Sequence, residues 1–85
     1  MDRAKILEDI NKERSRQDSL WSADFDSKNT INDWIAYITY YASQTATTED
    51  SISNFVQSMV KTAALCVAAI ETVEKNGDTA PRHFD

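Results

Sequence analysis

Six side chains carry the chemistry that this sequence offers: Arg14, Gln17, Trp21, Trp34, Lys61 and Arg82. Arginine and lysine hold phosphate, tryptophan stacks on a base, and glutamine reads a base edge. Arg14 and Gln17 lie one helical turn apart and share a face, and Trp21 follows one turn later. Lys61 stands just before a long apolar run, within reach of the same region. The group has the composition of a nucleotide site. The competing reading is structural: both tryptophans belong to the core, and Arg14 pairs with a carboxylate such as Asp33.

Other chemistries lack their parts. His83 is the only imidazole, and a histidine in a terminal tail is ordinarily just solvated. One Cys and one His cannot supply the four ligands of a zinc site. A single Gly rules out a glycine-rich phosphate loop. No carboxylate stands between Asp33 and Glu49, or between Asp50 and Glu71. The segments between them therefore lack the inward acid clusters that hold Mg²⁺ in helical bundles. Glu71 and Glu74 are a turn apart, but among polar residues near a helix end they read as a solvated face. We expect no catalytic residue, no metal and no cofactor.

The elements that must position these residues are helices. One Gly and one Pro in 85 residues are too few for the turns of an all-β fold. The first helix is expected from about Asp2, its N-cap, to Trp21, with Ile6, Leu7, Ile10, Gln17, Leu20 and Trp21 along one broad face. A loop anchored by Phe25 follows. Thr30 and Asp33 resemble a capping box opening a second helix that runs to about Ser43. Its expected buried stripe is Ile31, Trp34, Ile35, Ile38, Tyr41 and Ala42, with Tyr37 and Tyr40 on the flank. Gln44 to Thr48 reads as a polar linker, and Thr48 or Asp50 as the next cap.

The third helix, from about Ser51 to Lys75, carries the strongest periodic signal. Ile52, Phe55, Val56, Met59, Val60, Ala63, Ala64, Val67, Ile70 and Val73 recur at three and four residues. Asn76-Gly77 is its C-cap, with Pro81 beyond. Residues 63–70 are apolar without a break, and a helix that is apolar all round must be covered all round. The second helix spans only about half of the third's roughly 37 Å. The expectation is an all-α, three-helix chain forming an oligomeric helical bundle, with residues 1–78 as one domain and 79–85 as a tail. Ala63, Ala64, Val67, Ala68 and Ile70 are the expected homo-oligomer interface, because small side chains let a neighbouring helix approach.

A formal charge of −5 disfavours direct binding of nucleic acid, whose affinity rests on neutralising phosphates. It suits a basic protein partner or an ordinary cytoplasmic protein. Cys66 lies within the apolar run, as a small buried hydrophobe does. That run is too short to span a bilayer, and the N-terminal Met-Asp-Arg-Ala-Lys has no signal-peptide character. The expected location is the cytoplasm, with no membrane partner.

Glu13-Arg14-Ser15-Arg16-Gln17-Asp18-Ser19-Leu20-Trp21-Ser22 resembles the ERxRQxxKWG opening of small phage and prophage proteins related to the MazG-like nucleoside triphosphate pyrophosphohydrolases. Asn32-Asp33-Trp34-Ile35-Ala36-Tyr37-Ile38, the stretch from Val60 to Glu71 and the ending from Ala80 to Asp85 continue the likeness in order. The resemblance implies an all-α, oligomeric scaffold. Active members of the family hold Mg²⁺ with a Glu-Glu-x-x-Glu motif and a Glu-x-x-Asp motif. Here Ile35 to Ala42 contains no acid and the later motif is missing, so water activation by a metal is lost. The resemblance implies a non-catalytic phage accessory protein in the host cytoplasm that sequesters a nucleotide or nucleotide-derived signal, against host defence. In this reading Arg14 and Lys61 hold phosphate and a tryptophan stacks on the base. The alternatives are an acidic inhibitor of a host defence or nucleic-acid enzyme and, last, a MazG-like pyrophosphohydrolase.

Overall fold

The computed structural model describes residues 2–20, 26, 28–47 and 52–77. Within them the chain is all-α: α1 (Arg3–Leu20), α2 (Ile31–Thr47) and α3 (Ile52–Asn76). The expected anchor Phe25, the expected caps Thr48 and Asp50, and the tail lie outside the described residues.

Local chemistry sets the helix ends. Asp2 Oδ1 accepts the Lys5 N–H at 2.9 Å, satisfying a free donor of the first turn of α1. Thr30 and Asp33 form the reciprocal box: Thr30 N–H donates to Asp33 Oδ2 at 3.0 Å, and Asp33 N–H donates to Thr30 Oγ1 at 3.1 Å. Gly77 closes α3 with φ +79°, its N–H donating to the Val73 carbonyl at 2.8 Å. α2 runs past the expected stop at Ser43 to Thr47. Nothing in Gln44-Thr45-Ala46-Thr47 breaks a helix, because it holds neither Gly nor Pro.

α3 is the spine, and α1 and α2 each pack on it rather than on one another. The inward face of α3 is mostly small: Ser58, Ala64, Leu65, Ala68 and Thr72 are its buried residues, Leu65 being the one large side chain among them. Small side chains let both neighbours approach closely. The hydroxyls spend themselves on backbone, Ser58 Oγ on the Tyr41 carbonyl at 2.7 Å and Thr72 Oγ1 on the Ala68 carbonyl at 2.9 Å.

The large apolar residues of α3 point the other way. Ile52, Phe55, Val56, Met59, Val67, Ile70 and Val73 are all exposed, Ile52 at 82% and Ile70 at 59%. The periodic stripe that dominates the sequence is therefore an outer face. The two flanking helices bury less than their patterns suggest. In α2, Trp34 is buried, Ile38 and Tyr41 are half-buried, and Ile31, Ile35 and Ala42 are exposed. In α1, Gln17 alone is buried, while Ile6, Leu7 and Leu20 are exposed. Both helices pack mainly against α3, so each buries a narrower strip than its apolar pattern spans.

By length and composition α3 could cross a membrane. Insertion would break the polar contacts that join its Lys61 carbonyl and Glu71 to α1.

Candidate functional site

Arg14 sits at the junction of three segments. Its Nε donates to Glu71 Oε1 of α3 at 2.7 Å, its Nη1 lies 2.8 Å from Asp18 Oδ1, and its Nη2 lies 3.7 Å from Asp26 Oδ2 in the connection to α2. The guanidinium is mostly buried, as is Asp26. Three carboxylates surround the guanidinium, with Lys75 lining the same cleft, so the Arg14 charge is already matched and not free for phosphate. Burial pushes the Asp26 carboxyl above its ordinary range, and the more distant Arg14 only partly opposes this. The structural alternative for Arg14, a carboxylate partner, is what the fold shows. The partners are Asp18, Asp26 and Glu71, whereas Asp33 is taken up in the cap of α2.

Gln17 lies one turn further on α1 and is 3% exposed. Its Nε2 donates to Glu13 Oε2 at 3.2 Å and to the Lys61 carbonyl at 3.4 Å, joining α1 to α3. Its Oε1 has no hydrogen-bond partner among the described residues. Trp34 is 4% exposed, and its Nε1 is likewise unpartnered. Neither side chain is presented at the surface, so Trp34 serves as core. Trp21 and Arg82 lie outside the described residues.

Lys61 belongs to a different place from Arg14. Its half-buried side chain lines an open groove of about 440 Å³ between α1 and α3, with Lys12, Arg16, Glu13 and Gln57. Glu13 is held below the ordinary carboxylate range, first by its hydrogen bonds from Arg16 at 2.8 and 2.7 Å and, among weaker influences, by the Lys61 charge. Lys12 pairs with Glu8 at 2.9 Å. Lys61 itself makes no ion pair within 4 Å among the described residues. Of the six sequence candidates, the fold thus brings Gln17 to the Lys61 backbone and sends the Arg14 head group to another cluster.

The expected oligomer interface also divides. Ala64 is fully buried and Ala68 nearly so within their own chain. These two are corrected from inter-chain to intra-chain contacts; their small size serves the monomer's own packing. Ala63, Val67 and Ile70 lie on the outer side of α3, Ala63 half-buried and the other two exposed. Beside them lies a second groove of about 420 Å³, bounded by Ile6, Ile10, Phe55, Val56, Met59 and Ala63.

Sequence reasoning did not find the Arg14 cluster. The Arg14–Asp18 spacing of four residues was a legible signal, but nothing local marks Asp26 or Glu71 as partners. Among the described residues no group of three His, Cys, Asp or Glu is placed to hold a metal ion. No family model, curated protein or solved structure matches this chain.

Proposed function

We propose that this chain is a non-catalytic interaction module that works as a homo-oligomer, with the outer face of α3 as its joint. One observation carries the reading. The buried hydrophobic residues among those described are Trp34, Ala64, Leu65 and Ala68, while the bulkiest apolar residues of α3 are exposed. A domain of this size is marginal even with a full core. Contiguous exposed apolar surface on such a scale marks a binding face. Size-exclusion chromatography with light scattering tests this. The parent chain elutes at a multiple of 9.6 kDa, and Met59→Asp/Ile70→Asp shifts toward monomer. A parent that stays monomeric across micromolar concentrations refutes the proposal.

A second reading follows from the groove between α1 and α3. About 440 Å³ is enough for a nucleotide, and Lys12, Arg16 and Lys61 line it against Asp9 and Glu13, leaving one cation in excess. In this reading the module is the phage-type accessory protein that the sequence resembles, sequestering a nucleotide-derived signal in the cytoplasm. Phosphate contacts move from Arg14 to Lys61 and Arg16. Thermal shift against a panel of nucleotides tests it. Stabilisation that Lys61→Ala abolishes supports the reading, and no shift with any member sinks it. An acidic inhibitor of a host enzyme uses the same scaffold and predicts no shift at all.

A further inference from the structure

We infer that the partner on the outer face of α3 is a second copy running antiparallel, with the two-fold axis passing at Ala63. The inference rests on the proposed self-association and adds its geometry.

Charge selects a like partner. Chains of net charge −5 repel one another unless the apposed faces are uncharged. Between Ile52 and Ile70 the only charged residue of α3 is Lys61, which lies off the outer stripe beside α1. A basic partner would find acids only at the C-terminal end of the face, at Glu71, which already holds Arg14, and at Glu74. The exposed parts of Ile6 and the seven large apolar residues of α3 set an upper bound of roughly 700 Å² per copy on what they can contribute, against the ~800 Å² per partner of a stable interface.

Shape selects the direction. Val56, Ala63 and Ile70 recur every seven residues, interleaved with Ile52, Met59, Cys66 and Val73. This is a heptad seam, the pattern by which helices pack side by side. Its small midpoint, Ala63, permits close approach where the helices cross. The groove of about 420 Å³ lies beside Val56, in the first half of the seam. Its natural filler, the exposed Ile70, lies in the second half, about 21 Å away along the helix. Reversing one copy about Ala63 sets Val56 opposite the partner's Ile70 and Met59 opposite the partner's Val67, so the uncharged contact is the stretch from Val56 to Ile70, and Ile52 and Phe55 lie toward the partner's Glu74 and the partner's Glu71 at its ends. Each groove then receives an isoleucine, and the interface is self-complementary as a two-fold requires. A parallel pairing sets groove against groove and leaves both unfilled. It also sets Cys66 beside its counterpart, whereas reversal separates the two thiols by six residues, about 9 Å along the axis.

Oxidative cross-linking of the full chain tests this, with light scattering on the reduced samples. In a Cys66→Ser background, Ala63→Cys forms a covalent dimer. Val56→Cys alone and Ile70→Cys alone do not, but an equimolar mixture of the two gives the mixed disulfide, identified by mass. The parent chain, oxidised, gives no Cys66 disulfide dimer. Self-cross-linking of Val56→Cys or of the native Cys66 overturns the antiparallel arrangement. A reduced dimer that cross-links at none of these positions places the joint elsewhere and also overturns it, leaving self-association standing. A monomer throughout refutes both.

Discussion

Arg14→Met separates a structural arginine from a phosphate-binding one. The side chain bridges α1, α3 and the connection before α2 through Glu71, Asp18 and Asp26. Breaking a buried ion pair costs about 3–5 kcal/mol, because the surviving charge is left without a partner. Two features lower that figure here. Asp18 and Glu71 are more than half exposed, and solvated pairs contribute at most about 1 kcal/mol each. Asp26, already pushed up by burial, is pushed further when Arg14 is removed, which limits its penalty. The expected loss at neutral pH is about 2–3 kcal/mol, a large share of the stability of a small domain. With a urea m-value near 1 kcal/mol/M, the midpoint falls by about 2–3 M. Fluorescence of the buried Trp34 reports the transition, and protein concentration is held fixed to keep self-association constant. The loss shrinks as pH falls into the carboxylate range, where Asp26 is neutral with or without Arg14. Arg14→Met/Asp26→Asn recovers much of it at pH 7. A midpoint within about 0.5 M of the parent, or a double variant no better than the single, refutes the reasoning and returns Arg14 to the ligand-binding reading.

Three further outcomes follow from the same contacts. Asp26 has a folded-state pKa above its unfolded value, so its ionisation lowers stability as pH rises through the ordinary carboxylate range up to the raised folded value; Asp26→Asn alone therefore raises the melting temperature at pH 7 and leaves it unchanged in acid, as calorimetry at the two pH values can check. Gln17→Met removes the unpartnered buried Oε1 while Glu13 keeps Arg16 and the Lys61 carbonyl keeps its in-helix donor, so stability holds or rises by about 1 kcal/mol; a melting temperature lower by more than about 5 °C contradicts this. Gly77→Ala meets open space but must hold φ +79°, which costs about 1 kcal/mol in urea unfolding, and an unchanged midpoint argues against the αL cap.

Much of the fold was legible because its punctuation is local. Asp2, the Thr30–Asp33 box and Asn76-Gly77 act within a turn of themselves, and all three hold. The end of α2 was misread because polar residues after Ser43 looked like a linker, yet Gln is a good helix former and Thr only a weak one, not a breaker. The direction of the α3 stripe was harder to read. Periodicity says that apolar residues share a face but not whether that face meets its own chain or another. The candidate site suffered from the same limit. Arg14 and Gln17 do share a face of α1, but Glu71 and Asp26 reach Arg14 through tertiary packing that no spacing encodes.

The division of α3 into two faces explains why so short a chain carries so long a helix. An inward face of Ser58, Ala64, Leu65, Ala68 and Thr72 brings α1 and α2 close but has Leu65 as its one large apolar side chain, since Ala and Ser contribute few methylene groups. The bulk that would normally fill a core sits outward, on Phe55, Met59, Val67 and Ile70. Exchanging the faces by mutation would give an ordinary amphipathic helix, but large residues at Ala64 and Ala68 would force α1 and α2 apart and break the Gln17 and Ser58 hydrogen bonds that reach across. The small face is therefore required by the two helices that pack on it. Under the proposed self-association, the large exposed face is the surface that a second copy covers.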